Sequence, residues 1–167
     1  MHLDPDFEHL TYGDVGARRG SHLRAFTSGD VIAFYAGLRP PERAPGGMVY
    51  AIVGLFVVDE IVDAADVPPD RKHENAHTRK IVRGASDFVV RARRGESGRC
   101  ERCIPIGEFR DRAYRVRQDV LEAWGGLSVR DGYIQRSARP PRMLDTAMFM
   151  SWFRSQGVGL VEDNFGP

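Results

Sequence analysis

Two histidines and two cysteines raise the first chemical question. His73, His77, Cys100 and Cys103 are spaced H-x3-H-x22-C-x2-C, and four such side chains are the right number and type for a tetrahedral zinc. The cysteines, however, fall on a segment that reads as a strand, where side chains at i and i+3 point to opposite faces, and no glycine-bearing knuckle accompanies them. Two free thiols are the default, so neither a metal nor any other cofactor is expected. Nucleophilic and phosphate chemistry lack their usual signatures: there is no G-x-S-x-G elbow, no P-loop, no G-x-G-x-x-G after a strand, and no H-x-E with P-C-x-x-C. For acid–base work the sequence leaves open a pairing of His22 or His77 with a distant carboxylate such as Asp4, with no motif in its favour.

The most unusual polar stretch is GGLSVRDGYIQRSAR, residues 125–139. Ser128, Tyr133, Gln135, Arg136, Ser137 and Arg139 form a set able to stack on a base, hydrogen-bond its edge and hold phosphates. An ordinary surface hairpin would have a similar composition, and both readings stay open. If the segment is a strand, Tyr133, Gln135 and Ser137 share one face and Arg136 looks the other way. A base-reading pocket also needs aromatic planes in a partly desolvated cleft; Tyr35, Tyr50, Tyr133, Trp124 and Trp152 are the available rings.

These groups need a scaffold, and the chain is organised around residues 29–62, GDVIAFYAGLRPPERAPGGMVYAIVGLFVVDEIV. Val31 to Ala36 is an aromatic and β-branched run with both faces apolar, which predicts a strand buried on both sides. Met48 to Val62 predicts a second strand, too long to be flat, with a bend near Gly54. Between them Gly37 to Gly47 carries three prolines and three glycines and reads as an exposed loop. Upstream, Ala17 to Phe26 suits a short helix. Downstream, Asp87 to Arg93 and Cys100 to Ile106 form a second hairpin, with Arg93, Arg94, Arg99 and Arg102 placed around its tip to meet a nucleic-acid backbone. Arg112 to Trp124 and Leu144 to Phe153 read as helices, the latter turning Leu144, Ala147, Met148 and Trp152 inward. The tail adds a short strand at Gly159–Val161.

Charge is unevenly distributed. The formal net charge is +1, yet residues 71–142 hold eighteen Arg and Lys against nine Asp and Glu. Such a basic middle third either faces phosphates or is spread over a solvated surface. Only Lys72 and Lys80 are lysines. At 167 residues the chain suits one domain with a core of its own. It contains no apolar run of membrane-spanning length and starts without a signal-type segment, which leads to the expectation of a soluble cytoplasmic protein.

The Gly-Asp turn, the strand ending in Phe34-Tyr35 and the strand Ile52-Val53-Gly54-Leu55-Phe56-Val57-Val58-Asp59-Glu60-Ile61 resemble the central hairpin of the PUA-like superfamily, which includes the YTH, EVE and ASCH groups. The order His2-Leu3-Asp4-Pro5-Asp6, then Ser21-His22-Leu23, then Gly29 to Tyr35, is similar to the family called nucleotide modification associated domain 3. That similarity covers about the first half of the chain well and the rest loosely. It implies an α+β fold, a single PUA-like small mixed β-barrel with flanking short helices over residues 1–167. It further implies a nucleic-acid-binding module, with DNA preferred over RNA, that recognises a modified or flipped base beside the barrel. The alternative it implies is an enzyme of base or nucleotide modification with His22, Asn75 and His77 near the pocket. The family's His/Asn-containing segment makes Asn75 and His77 candidates to line the site, against the plainer reading that they cap a helix. The expected contact set is thus Tyr35, Asn75, His77, Arg93, Arg94, Ser128, Tyr133, Gln135, Arg136 and Ser137.

Overall fold

The long apolar run becomes one fifteen-residue strand, β3 (Val49–Asp63), in the computed structural model, which describes residues 3–16, 19–39, 47–80, 86–135 and 140–165. Around it lie β1 (Thr11–Val15), β2 (Val31–Leu38), β4 (Asp87–Ala92), β5 (Gly98–Pro105) and β8 (Leu160–Val161), in the order β1-β4-β3-β5-β8, with β2 also pairing β3. The pairings of β1 with β4, β3 with β4 and β5 with β8 are antiparallel. Strands β6 (Gly107–Arg110) and β7 (Ala113–Val116) form a separate antiparallel hairpin. Helices are short: α1 (Ala76–Arg79), α2 (Gln118–Ala123) and α3 (Thr146–Ser155). The fold is thus mixed α+β and rich in sheet. Among the described residues no sheet closes into a barrel, because the six-stranded path has two ends.

The chain divides into two compact units. The first comprises residues 1–33, 54–101 and 160–167. Its core gathers Leu23, Val58, Phe88 and Val90, with Tyr12, Phe26, Ile32 and Ile61 packed around them. Phe56 is fully buried and meets Phe7 edge-on, ring centroids 5.6 Å apart. Each such ring removed from water contributes about 1.5–3 kcal/mol. Gly54 belongs to this contact: a Cβ there would lie 2.3 Å from the Phe7 ring and 2.9 Å from the Gly98 carbonyl oxygen. The glycine that the sequence marked as a bend is thus the place where the strand admits a ring. The register irregularity of β3 against β4 falls between Val58 and Glu60.

The second unit comprises residues 34–53 and 102–159. Trp124, at the end of α2, packs edge-on against Phe149 and Trp152 of α3, with centroids 5.1 and 5.2 Å away. Two sequence expectations are corrected here. Residues 112–124 are not one helix: Asp111 and Arg112 adopt φ of 50° and 61°, turning β6 back into β7, and only Gln118–Ala123 is helical. In α3 the buried positions are Phe149 and Phe153, one turn apart, while Leu144 and Met148 are exposed.

Strand β2 is also corrected. It is half-buried along Val31–Ala36 and, among the described residues, pairs only with β3, whereas the strand sealed on both faces is β4, whose first four residues are all buried. The expected helix at 17–26 is a 3-10 turn over Arg19–Ala25, with residues 17 and 18 outside the described set. Residues 40–46 of the expected loop also lie outside it. No helix among the described residues is long and apolar enough to cross a membrane.

Candidate functional site

In the first unit, polar side chains from four segments converge on His77. The local cause is Asn75, whose extended backbone (φ −151°, ψ 157°) makes it the N-cap of α1. Its Oδ1 accepts from the His77 backbone N–H at 2.9 Å, and its Nδ2 donates to Thr11 Oγ1 at 3.1 Å. Thr11 Oγ1 in turn donates to the Glu74 carbonyl at 2.7 Å. Asn75 is fully buried, so these bonds replace the water its amide has lost. Thr78 completes a capping box by accepting from the Asn75 N–H at 3.2 Å.

The cap holds the His77 ring between two carboxylates. Nδ1 lies 3.4 Å from Asp87 Oδ2 and 3.3 Å from Lys80 Nζ, and Nε2 lies 3.8 Å from Asp4 Oδ2. Lys80 donates to Asp87 at 2.9 Å, and the Gly13 N–H donates to Asp4 Oδ1 at 2.8 Å, so both acids are held in place. Burial pushes the Asp87 carboxyl up. The Lys80 hydrogen bond and charge, joined by His77, outweigh that and hold it below its ordinary value. A buried imidazole with a carboxylate near each nitrogen has the parts for accepting, holding and passing a proton. Strand β1 passes close behind it: a Cβ on Gly13 would sit 2.4 Å from both Asn75 Oδ1 and His77 Cδ2.

Beside this cluster, Glu74 is buried and receives Arg91 Nη2 at 2.7 Å and Nε at 3.1 Å, while Arg71 Nη2 lies 3.0 Å from its other oxygen. Burial pulls the Arg91 guanidinium down, and Glu74 and Glu60 more than offset it, leaving it above its ordinary value. This carboxylate anchors the segment leading into the Asn75 cap.

The second unit holds a ladder of rings. Tyr35 and Tyr50 are 6.0 Å apart between centroids, Tyr50 and Tyr114 4.7 Å, and Tyr114 and Phe109 5.2 Å. Tyr35 Oη donates to the Ile134 carbonyl at 2.9 Å, and Gln135 Oε1 accepts from the Tyr114 N–H at 2.9 Å. The ladder ends on Phe109, which is 65% exposed on the β6–β7 hairpin. Arg115 lies over the Tyr133 ring at 5.7 Å, and Asp131 accepts both Nη atoms of Arg110 at 2.9 Å. The exposed end of the ladder is thus an apolar plane on a strand pair that also carries arginines.

The expected residues divide between these clusters. Asn75 and His77 stand together in the first unit, and Tyr35, Tyr133 and Gln135 belong to the second. Asn75 serves as the helix cap. Ser128 is exposed and accepts from the Arg142 N–H at 2.8 Å. Arg93 donates to Ser28 at 2.7 Å and lies 3.6 Å from Glu96, and Arg94 pairs with Glu162. Arg136, Ser137 and Arg139 lie outside the described residues. His22 is exposed on the 3-10 turn. His73 meets the His9 ring at 5.5 Å, Cys100 is buried and Cys103 exposed, and among the described residues no three His, Cys, Asp or Glu side chains gather as a metal set. The sequence reading missed Gly13, Lys80 and Asp87 of one cluster and Phe109 and Tyr114 of the other. The one available signal was Gly13, a glycine between strand residues, which marks a close backbone approach.

A family model described as nucleotide modification associated domain 3 matches residues 1–138, whereas no curated protein and no solved structure matches the chain.

Proposed function

Because the chain belongs to the nucleotide modification associated domain 3 family, we propose that it is a nucleic-acid-binding module that receives a modified or flipped base on the Phe109–Tyr114 ring shelf. The family's name ties it to nucleotide modification. The observation carrying the binding reading is the ring ladder that ends on an exposed Phe109; Arg110 and Arg115 project from the opposite face of the β6–β7 hairpin, where Glu108 and Asp131 pair them. Ring stacking supplies sequence-tolerant affinity to an unstacked base, and the excess of Arg and Lys over residues 71–142 supplies candidates for phosphate contacts. DNA is the partner we favour, as the family resemblance implies. We also hold to the PUA-like kinship, on the strength of the β2–β3 hairpin. The test is binding to single- and double-stranded oligonucleotides, with and without modified bases, over a salt series. Affinity that falls with salt is expected, and no salt-dependent binding to any of them refutes the reading.

A second reading, an enzyme of base or nucleotide modification, draws on the other cluster. His77, set between Asp4 and Asp87 with Lys80 at its Nδ1 side, is equipped for general acid–base catalysis. In this reading Asp87 and Lys80 are positioning residues and His77 is the group that meets the substrate. Nucleosides analysed by mass after incubation with wild type and His77→Ala decide it. A new product that disappears with the substitution supports catalysis, and equal or absent product rejects it.

A further inference from the structure

The arginines at the β4–β5 turn are already engaged by carboxylates, and those carboxylates come from the tail. After β8 the chain runs Glu162-Asp163-Asn164-Phe165 back across this turn. Arg94 Nη1 pairs with Glu162 Oε2, and the Gly95 N–H donates to Glu162 Oε1 at 3.3 Å. Arg99 donates from Nη2 to Asp163 Oδ1 at 3.3 Å and to the Phe165 carbonyl at 3.1 Å, and from Nε to the Asp163 carbonyl at 3.1 Å. A guanidinium and a backbone N–H converging on two oxygens of one anionic group is the donor set that also binds a phosphate. The tail supplying the anion lies beyond residues 1–138, the part matched by the family.

The geometry points to a backbone-phosphate subsite on the β4–β5 turn, formed by Arg94, the Gly95 N–H and Arg99, and masked in the free protein by Glu162 and Asp163. This rests on the binding reading above and deepens it by naming where phosphate docks and what competes for the place. Freeing Arg94 and the Gly95 N–H requires only rotation of the Glu162 side chain, whereas Arg99 also holds the Asp163 and Phe165 backbone carbonyls. The tail itself is moored by pairing of Arg99 and Cys100 with Val161 and Leu160, and by Asn164, whose Oδ1 accepts from the Phe7 N–H at 2.7 Å and whose Nδ2 donates to Asp6 at 2.9 Å. Arg94 is 73% exposed, and exposed ion pairs of this type contribute little to stability, so exchange of carboxylate for phosphate faces a small barrier in free energy.

The experiment measures the wild-type chain, Glu162→Gln with Asp163→Asn, and Glu96→Gln against a fluorescent single-stranded oligonucleotide at several salt concentrations. Glu96→Gln removes a carboxylate that faces Arg93 on the same turn, at 3.6 Å, without touching the seat. The double variant is expected to bind about three- to tenfold tighter at low salt, with the slope of log K on log salt steeper by about 1. Adding Arg94→Ala to it should cancel that gain. If wild type binds while the double variant gains nothing, or gains no more than Glu96→Gln, the masked seat is overturned and the binding reading stands. If no form binds at any salt, the binding reading falls and takes this inference with it.

Discussion

Replacing Gly13 by alanine tests whether the His77 cluster is as tightly built as its distances imply. The new methyl would lie 2.4 Å from Asn75 Oδ1 and 2.4 Å from His77 Cδ2, both well inside van der Waals contact. Neither neighbour can swing away cheaply. Asn75 is fully buried with its oxygen on the His77 N–H and its nitrogen on Thr11, and His77 is packed with Asp4, Asp87 and Lys80 around it. Overpacking costs about 1–3 kcal/mol, and opening the cap leaves a buried donor unsatisfied for about 1–3 kcal/mol more. Alanine recovers about 0.4–1 kcal/mol through the unfolded chain. A net loss of about 1–5.6 kcal/mol is expected, which lowers Tm by about 2–22 °C in a chain of this size. Urea unfolding followed by circular dichroism gives the free energy, and Asn75→Ala with the double variant closes a cycle. Because both single changes disable the same cap, their effects should sum to more than the double variant loses. Gly13→Ala within about 0.5 kcal/mol of wild type, or strict additivity, would refute the packing argument.

Other outcomes follow from the same contacts. Asp87 and Asp6 are both held below their ordinary value; for Asp6, burial raises the carboxyl, and bonds from Asn164 and His9 outweigh it. A depressed folded pKa gives stability that is present above the unfolded value of about 3.9 and is lost as pH falls through the folded value. Urea midpoints measured downward from pH 6 should therefore fall steeply below about pH 4, and less steeply in Asp87→Asn. Arg91→Ala strips a buried carboxylate of its main partner and should cost about 3 kcal/mol in the same assay, whereas Arg94→Ala should change stability by less than about 0.5 kcal/mol. Phe109→Ala removes a ring that is 65% exposed, so Tm should barely move, while oligonucleotide binding should weaken by about 1–3 kcal/mol if a base stacks there.

How far the sequence reaches depends on the range of the contacts involved. The strands at 31–38, 49–63, 87–92 and 98–105 are written in runs of β-branched and aromatic residues, and their signal is local. The β6–β7 hairpin escaped because its turn uses Asp111 and Arg112 in the left-handed region where glycine or asparagine is the usual marker. Without that marker, Tyr114 reads as part of one helical face with Val120, Leu121 and Trp124. In α3 two apolar stripes compete, and the stripe that goes in is Phe149 with Phe153, Phe149 lying against Trp124, a partner distant in the sequence. The pairing of His77 with Asp4 was open from the sequence, but Lys80 and Asp87 were not visible as its partners, because α1 and β4 meet only in three dimensions. Asn75 shows the two readings of one residue side by side: the helix-capping role is where its hydrogen bonds go.

That cap has a dynamic consequence. Helix α1 is four residues long, too short to persist on its own, since a single turn spends its entropy on nucleation and gains almost no propagation. Its first-turn amide at His77 is closed by the Asn75 side chain, and that side chain is tied through Thr11 to β1. Hydrogen exchange at the His77 amide is therefore a gauge of the strand–helix junction as a whole. The proton can leave only when the amide of Asn75 lets go, and the rate at which it does so reports how rigidly the imidazole is aimed.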